Sequence, residues 1–143
     1  MLKSILIAID ESKSSRSALN VGIALARICG AKVKGLYVED IVRLINWEPT
    51  ELIAAGGGFS SRIPDSRPTL EQVEIEKEFA AEATRIRKSF EDECKKFVIH
   101  HEFFTRRGKV HEVVEEMART VDMVVVGRRG KTYPESSKEP GPI

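Results

Sequence analysis

The chain has 143 residues and a mass of 16.0 kDa, which fits a single domain over residues 1–143. Hydrophobic residues make up 41% of it and charged residues 31%, a composition that supplies a core and excludes disorder over the whole length. The 23 Lys plus Arg nearly balance the 22 Asp plus Glu, so we expect neither nucleic acid nor a membrane as a partner.

No segment has the roughly 20 apolar residues of a spanning helix, and the first ten residues lack the features of a signal peptide. The sequence therefore predicts a cytoplasmic protein. Cys29 and Cys94 lie far apart in apolar surroundings, which favours buried, reduced thiols. The histidines have no metal-ligand spacing, so we expect no metal site built from them.

The first forty residues predict a strand, a helix and a second strand. The almost unbroken apolar run from Leu2 to Ile9 is typical of a strand covered on both faces. Capping residues follow at 10–15, and apolar residues then recur at helical spacing until Gly30. A second apolar run, Val33 to Val38, completes a unit that is normally right-handed and parallel.

An irregular insert is predicted at 39–70, because glycines and prolines interrupt every periodic pattern there. An apolar stripe from Phe79 to Phe97 then predicts a long amphipathic helix that begins near Thr69. The helix is followed by a predicted third strand, Val98 to Thr105, whose polar residues favour a sheet edge.

The remaining elements are a turn, a helix, a strand and a tail. We expect a turn at 106–108 and a helix that begins near Val110. The apolar run from Val121 to Val126 predicts a fourth strand. Residues 131–143 contain three prolines and predict an irregular tail.

This alternation predicts an α/β fold in which helices flank both faces of a parallel sheet, as in Rossmann-like and flavodoxin-like domains. The expected strand order is 3-2-1-4, since the most apolar strands, the first and fourth, belong together near the centre. Ligands of such sheets bind at the carboxyl ends of the strands, where the winding reverses. The sequence therefore predicts a crevice between Asp10 and Gly127.

Two motifs face this crevice. Gly127-Arg128-Arg129-Gly130 follows the fourth strand, and its glycines and cations suit a phosphate, although a structural turn is the commoner explanation of such a motif taken alone. Asp10 follows the first strand, where a carboxylate can accept ribose hydroxyls or hold a hydrated metal ion. Its structural alternative is to cap the following helix.

The arrangement resembles the universal stress protein family over nearly the whole chain. The segment KSILIAIDESKSSRSALNVGIALARICGAKVKGLYV resembles the family's first strand, helix and second strand. The segment VDMVVVGRRG resembles its fourth strand and the start of its nucleotide loop. The resemblance implies a regulatory module of the stress response, and in some members ATP, with Mg²⁺, as a bound cofactor.

The resemblance also implies a set of nucleotide-binding residues. Asp10 would hold the ribose side or a hydrated Mg²⁺, and the Val38 backbone would contact adenine. Gly127 and Gly130 would shape the phosphate turn. The other members of the implied site are Ile9 and Val126, which end their strands, and the phosphate-neutralising Arg128 and Arg129.

The second half of the family's phosphate loop is missing. Its G-x2-G-x9-G-[S/T] pattern requires a glycine where this chain has Pro140, while Gly141 comes one position late and is followed by Pro142. Proline has no N–H to offer a phosphate. The family's last helix and fifth strand have no counterpart in the sequence either.

Without a fifth strand, the apolar fourth strand lacks a neighbour on one side. We expect the 131–143 segment, a second copy of the chain or residues beyond Ile143 to cover it, and thus a homodimer or another covering partner. Two functions stay open: an interaction scaffold with weak or absent nucleotide binding that uses this strand or the insert, and an ATP-binding regulatory protein. Neither is a dedicated catalyst, and any ATP hydrolysis would be slow and incidental.

Overall fold

A computed structural model describes residues 2–44 and 69–127. A short 3₁₀ helix, Ile41–Arg43, directly follows the second strand. The remaining helices and strands, in chain order, are β1 (Ser4–Ala8), α1 (Lys13–Cys29), β2 (Lys32–Asp40), α2 (Leu70–Lys96), β3 (His101–Gly108), α3 (Val110–Ala118) and β4 (Met123–Val126).

The four strands form one parallel sheet in the order β3-β2-β1-β4. This confirms both the α/β class and the predicted strand order. The register pairs Ile7 of β1 with Gly35 of β2 and with Val125 of β4. The strand β1 therefore lies inside the sheet, and its side chains Ile5, Leu6 and Ile7 are fully buried.

Helix α1 packs on one face of the sheet. Its amino end is capped by the Ser12 side chain, which accepts a hydrogen bond from the Ser15 N–H, and its carboxyl end by Gly30 in the left-handed conformation. Gly22 lets the helix approach β1 closely, because a Cβ atom there would lie 2.4 Å from the Ile7 Cδ1 atom. The buried residues of α1 join the core cluster together with Ile5 and Ile7.

Helix α2 packs on the same face, beside α1. It starts with a capping box, in which Thr69 and Gln72 each bond the other's backbone N–H. The predicted apolar stripe is buried at Phe79 and at Phe90, and the Phe90 ring lies 5.5 Å from the Phe103 ring of β3. Gly35 of β2 makes room for both rings.

Helix α3 covers the opposite face, so helices flank both faces as predicted. Gly108 of β3 approaches Val113 of α3, since a Cβ atom at Gly108 would lie 2.9 Å from the Val113 Cγ2 atom. Leu6 and Leu36 point to this face and are 0% and 1% exposed. The core therefore extends on both sides of β1 and β2.

The predicted bounds of β3 were wrong at both ends. Val98 is not in a strand: it ends α2 with a positive φ of 54°, and the Ile99 N–H donates to the Cys94 carbonyl as in a Schellman cap. The predicted turn at 106–108 is part of β3, because these residues pair in register with Val38 to Asp40 of β2.

Strand β4 is shorter than predicted and less buried. It begins at Met123 instead of Val121, and Val126 is 54% exposed. The predicted insert overlaps the end of β2 and the 3₁₀ helix, while its residues 45–68 and the tail at 131–143 lie outside the described residues. Within the described ranges, no helix is both long and apolar enough to cross a membrane.

Candidate functional site at the carboxyl edge of the sheet

The winding of the sheet reverses at β1, whose neighbours are β2 on one side and β4 on the other. The last β1 to β2 hydrogen bond runs from the Ile9 N–H to the Leu36 carbonyl, at 2.8 Å. Beyond Ile9 the chain leaves the sheet and enters α1. The carboxyl end of β1 is thus a topological switch point, the usual ligand position in such sheets.

Asp10 is held in a tight polar loop at this point. Its N–H donates to the buried Ser15 Oγ at 2.8 Å, and its Oδ1 atom accepts from the Ser12 N–H at 2.7 Å. The helix cap is Ser12, whose Oγ accepts from the Ser15 N–H at 3.1 Å. Asp10 therefore shapes the loop before α1 and is not itself the N-cap.

The backbone of Val38 points toward the same place. The Lys32 N–H donates to the Lys3 carbonyl, and the Leu36 carbonyl accepts from Ile9, so even-numbered residues of β2 direct their backbone groups toward β1. Val38 lies two residues beyond Leu36, where β1 has already ended. Its N–H and C=O therefore project over the carboxyl end of β1.

Gly127 follows β4 and lies against the first turn of α1. A Cβ atom at this position would lie 2.7 Å from the Ser14 Oγ and 2.8 Å from the Ser14 carbonyl carbon. Because one of these atoms belongs to the backbone, only glycine fits without a shift of the chain. The neighbouring residues 128–130, which complete the predicted GxxG motif, lie outside the described residues.

The serines of the α1 start connect the two halves of the predicted site. Gly127 contacts Ser14, the Ser14 Oγ lies 3.3 Å from the Ser12 Oγ, and the Ser12 N–H bonds to Asp10. Asp10 and Gly127 nevertheless line two different grooves. The groove at Asp10 has a volume of about 270 Å³ and lies between α1 and α2. Gly127 lines another groove, of about 380 Å³, between α1 and β4.

Helix α2 is fixed to the carboxyl edge by ion pairs that sequence reasoning missed. Arg85 donates to both carboxylate oxygens of Glu11, at 2.6 and 3.1 Å. Arg107 of β3 bonds to Glu76 of α2 at 2.6 Å and to Glu39 of β2 at 2.9 Å. The hydrogen bond from Arg107 lowers the pKa of Glu76, because it favours the charged form of that carboxylate.

A buried polar cluster lies beneath these ion pairs. The Tyr37 hydroxyl donates to Glu82 Oε1 at 2.5 Å, and the two residues are 3% and 4% exposed. Arg43 of the 3₁₀ helix contacts the same Glu82 oxygen at 3.4 Å and also pairs with Glu78. Burial, followed by the bond to Glu82, raises the pKa of Tyr37 far above its usual range. The cluster joins β2, α2 and the 3₁₀ helix.

One signal in the sequence could have identified Glu82. It lies three residues after Phe79 and four before Ile86, so it falls on the apolar face of α2. A carboxylate on such a face requires partners in the fold. Its partners, Tyr37 and Arg43, are distant along the chain, and no local pattern reveals them.

Comparison with known proteins finds similarity only at the level of three-dimensional structure. No protein-family model matches the chain. No curated protein matches it either. In contrast, 21 chains among the solved structures match significantly.

Universal stress proteins are prominent among these structures. UspA from Lactobacillus plantarum aligns with a TM-score of 0.64 and 16% identity, covering 94% of this chain and 82% of that one. The hypothetical protein MJ0577 aligns with a TM-score of 0.64 and 20% identity, covering 95% and 81%. A universal stress protein in complex with cAMP aligns with a TM-score of 0.52 and 16% identity, covering 92% and 80%.

At these identities the likeness concerns the fold. The chain has the universal stress protein fold, as its resemblance predicted. The four-stranded parallel sheet in the order β3-β2-β1-β4 is the part of that fold that the structure describes.

Proposed function

We propose that this protein is a regulatory module of the universal stress protein family that acts in the stress response as an interaction scaffold, with weak or absent nucleotide binding. The observation that carries the proposal is the pairing of charged side chains at the carboxyl edge. Arg85 and Arg107 bind the carboxylates of Glu11 and Glu76, and these contacts hold α2 to the sheet. Because these arginines already bind carboxylates of the same chain, the arrangement favours a contact surface over a phosphate site.

The sequence of the tail supports the same proposal. Pro140 and Pro142 stand where the family's phosphate loop would present backbone N–H groups. A chain without these donors keeps the fold but binds phosphate more weakly. The scaffold proposal explains both features together.

The outer edge of β4 is the surface that we propose for contacts of the scaffold. Val126 is 54% exposed there, and Val21 of α1, which lines the same groove, is 52% exposed. Apolar side chains beside an edge strand favour a covering element. The homodimer, or another covering partner, stays a prediction for this edge.

A second candidate is the binding of an adenine nucleotide, and a specific observation favours it. The backbone of Val38 points over the end of β1 beside the fixed Asp10 loop, as adenine and ribose contacts require. A universal stress protein with a similar fold was solved with cAMP. Under this second candidate, Asp10 holds ribose or a hydrated Mg²⁺ of ATP, while the 127–130 turn binds phosphate.

Thermal-shift and calorimetric titrations with ATP, with and without Mg²⁺, and with cAMP separate the two candidates. Ligand at 100 times its dissociation constant stabilises a protein by about 2.7 kcal/mol. The scaffold proposal expects a small shift of the melting temperature at millimolar nucleotide, or none. A clear shift that Asp10→Ala removes would contradict it and support the nucleotide site.

Asp40→Ala is the matched control for this experiment. Asp40 is the last residue of β2 and accepts a hydrogen bond from the N–H two residues on, at Val42, as Asp10 does from Ser12. Both variants lose one local turn bond, but only Asp10 lies at the end of β1. Loss of binding in both variants would indicate general loosening instead of a ribose contact.

A further inference from the structure

Helix α1 has a second apolar stripe, which faces away from the sheet. Residues of a helix that lie three, four and seven positions apart share one side of it, and the residues Val21, Ala24, Leu25 and Ile28 have this spacing. Ile28 is 79% exposed, and Val21 is exposed too, as is Ala24, whereas Leu25 is half-buried. We call these four residues the outer stripe of α1. One apolar face is enough to pack the helix on the sheet, so the outer stripe is open to a partner.

The outer stripe continues into the groove beside β4. Val21 belongs to both, and the other residues of α1 that line the groove are Ser14, Ser17 and Ala18. The groove has a volume of about 380 Å³. From Ser14 to Ile28 the combined surface follows α1 for about 21 Å, or about four turns. A partner helix of similar length therefore matches it.

A line of cations borders the outer stripe on the side of α2. Lys13, Arg16 and Arg27 are the charged residues of α1, which contains no carboxylate. With Asn20 between them, they follow one another at helical spacing and share one side. The Arg27 guanidinium carbon lies 4.3 Å from the centre of the Phe97 ring of α2, which identifies that side. None of the three cations forms an ion pair within residues 2–44 and 69–127.

The charge of α1 discriminates between possible partners of this surface. A second copy of the chain that packed α1 against α1 would bring the cations of both copies together, and like charges repel. A helix with carboxylates along one flank would instead form ion pairs with them. Its apolar side chains, at positions i, i+3 and i+7, would contact the outer stripe. Apolar contact and charge are therefore both satisfied by an acidic amphipathic helix.

We propose that the outer stripe and the groove beside β4 bind an amphipathic helix of a partner protein, whose acidic flank pairs with Lys13, Arg16 and Arg27. The inference rests on the proposed scaffold function and names the chemistry of the partner. It extends the proposed contact surface at β4 along the exposed side of α1.

A designed helical peptide of about 18 residues, or five turns, serves as the probe. It carries leucine at positions i, i+3 and i+7 and glutamate along one flank, and a matched peptide carries lysine in place of each glutamate. Fluorescence anisotropy of the labelled peptides with the full chain measures both dissociation constants. We expect the acidic peptide to bind at least about tenfold more tightly, with a smaller advantage in high salt. Equal affinities, or no binding of the acidic peptide up to about 1 mM, would overturn the proposal.

Ile28→Ala and Leu70→Ala test where the peptide binds. Leu70 is 85% exposed and lies on α2, outside the outer stripe. Alanine suits both helices, so neither variant should unfold. We expect Ile28→Ala to weaken binding of the acidic peptide about five- to tenfold and Leu70→Ala to change it by less than about twofold. Equal effects of the two substitutions, or no effect of Ile28→Ala, would contradict the proposal.

Arg27→Gln tests the role of charge. Its matched control is Arg87→Gln, since Arg87 also stacks on a ring, that of Phe103, but lies on α2. We expect Arg27→Gln to weaken the acidic peptide about threefold and to reduce the salt dependence of its binding. Arg27→Lys, which keeps the charge, should restore both. A salt dependence that is unchanged in Arg27→Gln, or reduced equally in Arg87→Gln, would speak against the proposed pairing.

Two measurements on the full chain identify other occupants of the outer stripe. In light scattering, a dimer that Ile28→Glu converts to a monomer would show that a second copy covers it. In methyl NMR, a soluble paramagnetic agent should broaden the Ile28 signal and leave that of Ile7, which is fully buried, unchanged. A sharp Ile28 signal in a monomer would show that the chain covers its own stripe. Either result contradicts the proposal.

Titration of ATP into the same samples separates failure of this inference from failure of the scaffold function. Weak peptide binding without a nucleotide shift would remove only the acidic helix as the partner. A clear shift of the melting temperature that Asp10→Ala removes would contradict the scaffold function, whether or not the peptide binds.

Discussion

The two edges of the sheet are finished in different ways. At the β3 edge, Arg106 donates to the Thr105 carbonyl at 3.1 Å, and Arg107 joins two carboxylates. At the β4 edge, a strand of four residues carries Met and Val only. Charged side chains protect an edge from pairing, whereas apolar ones favour a cover. Within the described residues, the β3 edge is therefore protected by charged side chains, whereas the β4 edge carries apolar side chains without such protection.

The largest expected effect concerns the polar cluster behind the β3 edge. Glu82→Ala leaves the Tyr37 hydroxyl buried without its acceptor and removes one partner of Arg43. We expect the free energy of unfolding to fall by about 2–3 kcal/mol. Urea denaturation monitored by circular dichroism measures it.

Glu78→Ala is the control for this prediction. Glu78 also pairs with Arg43, but its side chain is 61% exposed, and exposed ion pairs contribute less than about 1 kcal/mol. Equal losses in the Glu82 and Glu78 variants would mean that the buried cluster adds no stability beyond a surface ion pair.

The second effect concerns the β4 side, at the contact between Gly127 and α1. A methyl group in Gly127→Ala would lie 2.8 Å from the Ser14 carbonyl carbon, so α1 or β4 must move. Overpacking of this kind costs about 1–3 kcal/mol. Thermal and urea unfolding measure the loss of stability. The substitution should also speed amide hydrogen exchange more in β4 than in β2, relative to the parent chain.

The double variant Gly127→Ala with Ser14→Ala sharpens this prediction. It removes the Ser14 hydroxyl but leaves the backbone atoms that cause the clash. The second substitution should therefore restore little of the lost stability. Full recovery would show that the hydroxyl, and not the close backbone approach, requires glycine at this position.

The sequence predicted the fold better than its details. Alternation of apolar runs was sufficient for the class, and the high apolar content of the first and fourth strands was sufficient for the order of strands. The ends of β3 were misjudged for two tertiary reasons. Val98, a strand-forming residue, adopts the left-handed conformation that ends α2, and Arg107 extends the strand because it binds Glu39 and Glu76.

The candidate site was likewise only partly predictable from the sequence. Asp10 and Gly127 were recognised because each follows an apolar strand directly. The role of Ser14 as the contact of Gly127 and the pairing of Glu11 with Arg85 depend on how helices pack on the sheet. Such contacts join residues that are distant along the chain, and no spacing rule predicts them.

A smaller effect is expected at the entry to the β3 edge. Helices α1 and α2 end in the same type of cap, with Gly30 at φ 70° in one and Val98 at φ 54° in the other. Val98 is 89% exposed, so its side chain contributes little packing. Val98→Gly should relieve backbone strain and raise the free energy of unfolding by about 1 kcal/mol.

The reciprocal substitution completes this comparison. Gly30→Val has open space for its side chain, since no neighbouring atom lies within 4 Å of the position that its Cβ atom would take, and should lose a similar amount through strain alone. Urea denaturation of both variants measures the pair. A loss of stability in Val98→Gly would mean that the exposed valine contributes a contact that outweighs its strain.

The smallest effect concerns Asp122 at the start of the β4 edge. Its carboxylate accepts from the Lys3 N–H at 2.8 Å and the Ser4 N–H at 3.2 Å, and these bonds lower the pKa of Asp122 in the folded state. A lowered folded pKa adds stability above the unfolded pKa, and this stability disappears as the pH falls through the folded value. Asp122→Asn should therefore be less stable than the parent at pH 7 and nearly equal to it at pH 2. Urea denaturation at both pH values measures the difference, and a deficit that persists unchanged at pH 2 would show that the charge of Asp122 does not hold β4 to β1.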